Sequence, residues 1–142
     1  MSKWIVVLVS VLAAGCAADS ALRDGRKLIE QGRMEEGIRR LEQDVKANPN
    51  DEKLRVYYER NRDRYVNQLL YEGEKARLLG RGDEALAAFR RALEVAPGNA
   101  RAQAGLEATQ AGQRQQNEVR QAQALFDDGK PVQALDKLRA VL

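Results

Sequence analysis

Residues 66–99 read VNQLLYEGEKARLLGRGDEALAAFRRALEVAPGN, two helix-forming runs that meet at Gly80 and end at Pro97. Apolar and small residues such as Leu69 and Ala76 recur in these runs at the seven-residue spacing of one helix face. Glycine commonly follows the last turn of a helix, and proline cannot continue one. The stretch therefore predicts two helices joined by a tight turn.

The same pattern occurs three times along the chain. Gly32, Gly80 and Gly129 are 48 and 49 residues apart, and alignment on them brings other residues into columns. The columns of small residues are Gly25/Gly73/Ala122 and Gly37/Ala85/Ala134; those of larger apolar residues are Leu28/Ala76/Leu125, Ile38/Leu86/Leu135, Leu41/Phe89/Leu138 and Val45/Leu93/Leu142. A fixed period is typical of solenoids, whose units bury their apolar faces against neighbouring units.

These columns resemble the tetratricopeptide repeat, in which small residues lie where helix A and helix B touch and proline ends helix B. Residues 66–99 match its signature positions at Leu69, Gly73, Ala76, Gly80, Ala85, Phe89, Ala92 and Pro97. Units near 18–51 and 115–142 match fewer positions, and the last is truncated. All three units have a polar residue where the family usually has leucine, namely Asp24, Glu72 and Gln121. The resemblance implies an all-α solenoid of antiparallel helix hairpins over residues 21–142.

The period of about 48 residues exceeds the 34 or so that are usual for this repeat. The excess corresponds to four helical turns, which take about 14.4 residues, so helix A is lengthened without rotating its apolar stripe. We therefore expect long helices over 52–79 and 100–128. Their stripes contain Leu54, Tyr58, Tyr65, Leu69, Ala76 and Leu79 in the first, and Leu106, Val119, Ala122 and Leu125 in the second. Asn50, Asp83 and Asn99 are predicted N-caps, and Pro131 a first-turn residue.

Composition excludes several kinds of site. The chain has no histidine and one cysteine, Cys16, which excludes an intrachain disulfide, a His or Cys zinc site and a Ser-His or Cys-His nucleophile. A net charge of +3, with both signs mixed, does not favour nucleic acid. The carboxylate pairs Glu35/Glu36 and Asp127/Asp128 lie near helix ends or turns, where structural roles are common. We predict no enzymatic activity, no cofactor or metal, no small-molecule substrate and no nucleic-acid partner.

The first fifteen residues have the pattern of a secretory signal. Lys3 precedes an apolar run from residue 4 to residue 14. At about 1.5 Å per residue this run is too short to cross a hydrocarbon core of about 30 Å. A signal peptide needs no such length, and small residues follow it where a peptidase cuts.

The run ends in LAAGC, residues 12–16, which resembles the lipobox of bacterial lipoproteins. The resemblance implies removal of the signal peptide 1–15, attachment of diacylglycerol to the Cys16 thiol and a lipidated tether over 16–20. Ala17 stands where enterobacterial lipoproteins retained in the inner membrane have Asp. The implied location is therefore the outer membrane, with the protein facing the periplasm. The alternative is an ordinary signal or anchor helix with an incidental cysteine.

Helix A lines the concave surface of tetratricopeptide-repeat proteins, and the resemblance implies a partner-binding groove here. Counted onto residues 66–99, the groove positions are Asn67, Leu70, Tyr71, Glu74, Arg77 and Leu78. Tyrosine and arginine are frequent in binding hot spots. The alternative is that Leu70 and Leu78 pack against a neighbouring repeat while the charged side chains are merely solvated.

The lipobox, a short lead-in and LLYEGEKARLLGRGDEALAAFRRALEVAPGNARAQAGLEA, residues 69–108, together resemble the N-terminal region of secretins. Secretins are the outer-membrane channel proteins of type II secretion and type IV pilus systems. The resemblance implies a lipid-anchored, periplasm-facing scaffold whose partners are secretion or pilus assembly proteins. The alternatives are a stand-alone assembly lipoprotein for envelope or pilus biogenesis and an accessory to a peptidoglycan enzyme.

The last unit ends at Leu142, which aligns with Val45 and Leu93. Those two residues each precede a proline, Pro49 or Pro97, by four positions. The alignment therefore predicts that the intact protein continues with a proline and a further helix.

Overall fold

The computed structural model describes residues 22–139, and within that range helix follows helix with no strand. The helices are α1 (residues 22–30), α2 (Met34–Ala47), α3 (Glu52–Leu78), α4 (Gly82–Val95), α5 (Ala100–Asp127) and α6 (Pro131–Arg139). The all-α prediction is confirmed, and the two long helices begin where they are expected and end one residue earlier. The chain divides into two units, the first ending at Val66 and the second beginning at Asn67, both within α3.

Three turns of the same kind follow α1, α3 and α5. Gly32, Gly80 and Gly129 have φ angles of 78°, 71° and 75°, a conformation that costs glycine little. Each glycine N–H donates to the carbonyl three residues earlier, and the next N–H donates to the carbonyl five residues earlier, at 2.9–3.0 Å. These are the two hydrogen bonds of the Schellman motif. Each turn thus joins two consecutive helices, which we call the first pair (α1 and α2), the second pair (residues 67–78 of α3, and α4) and the third pair (residues 114–127 of α5, and α6).

The turns after α2 and α4 are also alike. The N–H of Asn48 donates to the Asp44 carbonyl, and 48 residues later the N–H of Ala96 donates to the Ala92 carbonyl. The next helix is capped in both cases: Asp51 Oδ1 accepts from the Leu54 N–H at 3.0 Å, and Asn99 Oδ1 from the Ala102 N–H at 2.9 Å. The Asn99 cap is therefore confirmed.

Two predicted caps are wrong. Asp51, not Asn50, caps α3, because Asp51 is the residue that directly precedes the first helical turn. Asp83 lies inside α4, which begins at Gly82, so its carboxylate is placed in the first turn, where it complements the helix dipole. Pro131 is the first residue of α6, as expected.

The core of the first unit depends on close approach between α1 and α2. A Cβ added at Gly25 would lie 2.5 Å from the Leu41 side chain, and one added at Gly37 would lie 3.0 Å from the Gly25 carbonyl oxygen. Leu41 and Leu54 are fully buried. The column of small residues therefore marks the helix contact in this unit.

Phe89 is the centre of the second unit. Its ring is fully buried, and it occupies the space that side chains at Gly73 and Gly105 would need. A Cβ at Gly73 would lie 2.7 Å from the ring, and one at Gly105 would be closer still. α5 packs on both α4 and α6 in this unit. One large residue surrounded by glycines thus brings α3, α4 and α5 together.

The predicted stripes are buried in part. Leu54, Tyr65, Leu69 and Ala76 are buried, Tyr58 is half-buried, and Leu79 is exposed. Leu79 departs from the stripe because α3 ends at Leu78 and the turn at Gly80 redirects the chain. In α5, Ala122 is buried, Leu106 and Leu125 are half-buried, and Val119 is exposed.

Ala85→Leu is expected to lower the free energy of unfolding by about 1–3 kcal/mol through overpacking. Ala85 is fully buried, and its equivalent in the first pair, Gly37, would place a Cβ 2.6 Å from Ile29. Urea unfolding measures the change. Ala87→Leu is the matched control, because Ala87 is exposed in the same helix. Equal midpoints for the two variants would contradict the assigned packing.

Candidate functional site

The second half of α3 carries the six residues predicted to line a groove. Tyr71, Glu74 and Leu78 have the i, i+3, i+7 spacing that places side chains on one helix face. Tyr71 is 68% exposed and Leu78 is 77% exposed, both large fractions for residues of these types. An exposed tyrosine and leucine on one face provide apolar area for a partner.

Glu74 and Arg77 lie beside these two side chains and bind each other. Arg77 donates from Nη2 and Nε to Glu74 Oε2 at 2.9 and 3.1 Å. Both side chains are about 40% exposed, and an ion pair so exposed contributes little to stability. Asn67, one turn earlier than Tyr71, is also exposed. These polar groups are therefore available at the rim of the apolar face.

Leu70 does not belong to this surface. It is only 2% exposed and, like Leu69, is buried. The buried face of α3 is wide enough to include two adjacent leucines, so Leu70 fixes the helix instead of facing a partner. We call the remaining residues the α3 patch: Asn67, Tyr71, Glu74, Arg77 and Leu78.

A separate cleft of about 400 Å³ lies between α3 and α4, and no residue of the α3 patch lines it. Its walls include Lys75, Leu79, Arg81, Glu84 and Arg91, so charges of both signs alternate around it. Leu79 contributes exposed apolar surface here. The exposure of Leu79 could have been predicted from the sequence. Leu79 directly precedes the glycine that ends the helix, and a residue at that place no longer lies on the buried face.

The paired carboxylates have structural partners. The Arg33 guanidinium hydrogen-bonds Glu36 at 2.9 Å from Nε to Oε1, and this bond holds the pKa of Glu36 below its ordinary value. Glu35 accepts from the Tyr65 hydroxyl, Asp127 accepts from Gln123 Nε2, and Asp128 pairs with Lys130. Across residues 22–139 no cluster of acidic or cysteine side chains could hold a metal ion.

The membrane-related predictions fall outside the described residues. The signal peptide 1–15, Cys16 and the tether 16–20 all precede residue 22, where the description begins. No helix within the described range is both long enough and apolar enough to span a bilayer.

A second exposed apolar surface lies on the third pair. Phe126, Val132 and Leu135 are more than half exposed, and a cleft of about 360 Å³ opens between α5 and α6. Leu135 belongs to one of the columns of large apolar residues, whereas Phe126 was not predicted to be functional from the sequence. Phe126 aligns with Ile29 and Arg77, so its column mixes apolar and charged residues. A column of mixed character is a sequence signal for a position outside the core.

Comparison of the chain with protein-family models, with curated protein sequences and with solved structures gives no match.

Proposed function

We propose that the protein is a lipid-anchored scaffold that binds another protein in the periplasm through the α3 patch. The observation that supports this most is the exposure of Tyr71 and Leu78 on a helix whose opposite face is buried. Because Leu69 and Leu70 fix that helix in the core, the patch is held rigidly before any partner arrives. A preformed patch loses less conformational entropy on binding than a mobile one.

The architecture that we propose is a solenoid of the tetratricopeptide type, with elongated A helices and a period of about 48 residues. Three Schellman turns at equivalent glycines support it. Two side-chain caps at Asp51 and Asn99, also 48 residues apart, support it as well. Solenoids of this kind present extended surfaces to protein partners, which is consistent with a scaffold.

The membrane anchor in this proposal is the acylated Cys16. Its support is the sequence LAAGC at the end of a short apolar run. Each buried methylene contributes about 0.8 kcal/mol, so two or more acyl chains give durable attachment. With Ala17 after the cysteine, the proposed location is the outer membrane, facing the periplasm.

The partner class that we propose is an assembly protein of a secretion or pilus system, with this chain acting as the N-terminal region of a secretin-like component. The support is the resemblance of the lipobox and the long-helix repeats to that family. In this role the chain binds the partner protein and positions it, and the exposed α3 patch is suited to that binding.

Co-purification from detergent-solubilised envelopes tests the function. We expect tagged chain to enrich one envelope protein, and Tyr71→Ala and Leu78→Asp each to reduce its recovery by about tenfold or more, as for hot-spot residues. Val56→Asp is the control, because Val56 is another exposed apolar residue of α3, outside the patch. Equal recovery with all three variants would exclude the α3 patch as the binding surface.

A further inference from the structure

The first half of α3, residues 52–65, carries its positive and negative charges on separate sides. Lys53, Arg60 and Arg64 are seven and four residues apart, a spacing that places side chains on one side of a helix. All three side chains belong to the first unit and are exposed. Among the described residues, none of the three has a carboxylate as its partner. This side of the helix is therefore a row of unpaired cations.

The carboxylates of the same segment lie elsewhere around the helix. Glu52, Glu59 and Asp63 have the same spacing as the cations, but each comes one residue earlier in the chain. Successive residues of a helix are about 100° apart, so the carboxylates project to an adjacent side. Asp63 is also bound by Arg62, at 2.9 Å. The row of cations is thus not neutralised by its own helix.

The stability of the helix does not explain this separation of charges. Arg60 and Arg64 are four residues apart, as are Glu59 and Asp63. Like charges at this spacing destabilise a helix, whereas a carboxylate four residues before a cation would stabilise it. A binding role for the cationic side accounts for an arrangement that helix stability opposes.

A fourth cation joins this side of α3 from α1. The Arg26 guanidinium lies over the Tyr57 ring, 5.2 Å from the ring centre. Tyr57 comes four residues after Lys53 and three before Arg60, so it neighbours both of these side chains. Arg26 is itself exposed. We call Arg26, Lys53, Arg60 and Arg64 the basic face.

We propose that the basic face binds the phosphates of anionic phospholipids and holds the first unit against the membrane surface. Anionic headgroups attract Lys and Arg side chains that lie near them. The choice of a lipid surface over an acidic protein rests on the proposed anchor at Cys16. An extended chain from Cys16 to residue 22 spans about 21 Å at most, so the anchor keeps the first unit beside the headgroups. The proposal goes beyond the proposed function, because the α3 patch takes no part in it.

Lysine acetylation, measured by mass spectrometry on the full chain, tests the proposal. The chain is added to an excess of preformed vesicles, of phosphatidylcholine alone or of an equimolar mixture with phosphatidylglycerol. We expect Lys53 to react about tenfold more slowly on the anionic vesicles, because each Lys or Arg near an anionic surface strengthens binding by about fivefold. Lys75, an exposed lysine of the second unit, should react equally on both. In about 1 M NaCl, where the screening length is about 3 Å, the protection of Lys53 should disappear.

Matched variants identify the cations that are responsible. Arg60→Gln combined with Arg64→Gln should return the reactivity of Lys53 to its value on neutral vesicles. Arg90→Gln combined with Arg101→Gln removes the same charge from two exposed positions outside the basic face and should leave the protection intact. Circular dichroism of both variants verifies that their helix content is unchanged.

Equal reactivity of Lys53 on the two kinds of vesicle would overturn the proposal and make an acidic protein the better occupant of the basic face. Protection that is lost equally in both double variants would overturn it too, because it would indicate attraction by net charge alone. The anchor is measured separately, by flotation of the chain with neutral vesicles in high salt. Since the vesicles are in excess, the reactivity of Lys53 tests the basic face whether or not the chain floats.

Discussion

Phe89→Ala is expected to lower the free energy of unfolding by about 3–5 kcal/mol, the largest stability change of any single substitution considered. Phe89 is fully buried, and its ring fills the space beside Gly73 and Gly105. Removal of the ring leaves a cavity that two glycines cannot fill, and contacts are lost on three helices at once. Urea unfolding monitored by circular dichroism gives the value.

The chain offers a matched control, because its only other phenylalanine, Phe126, is 61% exposed. Phe126→Ala removes the same ring from the surface and should change the unfolding free energy by about 0.5 kcal/mol or less. If the two variants unfold at the same urea concentration, Phe89 is not the centre of the second unit.

If Cys16 is lipidated as proposed, Cys16→Ser is expected to abolish lipid attachment completely. The reason is chemical, because a serine hydroxyl is a far weaker nucleophile than a thiolate. Metabolic labelling with palmitate and fractionation of the envelope measure the effect. The variant should remain as a precursor that keeps residues 1–15.

Ser20→Ala serves as the control for this experiment, since it changes a side chain of the same segment without touching the thiol. It should be labelled and processed as the unchanged chain is. Palmitate incorporation that persists in the Cys16→Ser protein would rule out this cysteine as the lipid attachment site.

The helices could be predicted from sequence because their ends carry local signals. The long helix α5 was expected over 100–128 and is Ala100–Asp127, since Asn99 caps one end and Gly129 follows the other. The cap of α3 was harder to place. Asn50 and Asp51 are both good caps, and the choice depends on the preceding turn, where the Asp51 N–H bonds the Asn48 carbonyl.

The candidate site could be predicted less completely. Helical spacing predicts that Tyr71 and Leu78 lie on one face, but it does not predict that Leu70 is buried. Whether one or two adjacent leucines are buried depends on how wide the contact with other helices is, and this is a tertiary property. The open cleft beside Leu138 could not be predicted for the same reason. Leu138 is smaller than Phe89 at the equivalent position, but whether that difference leaves an open space depends on tertiary packing.

The claim that the α3 patch holds a protein partner is tested most directly by photo-crosslinking in living cells from position 71. A photoreactive amino acid replaces Tyr71 in one strain and Val56 in another, so that both probes lie exposed on the same helix. We expect a discrete adduct with one protein, in the outer-membrane fraction, from position 71 alone. The same products from both positions, or none from position 71, would contradict it.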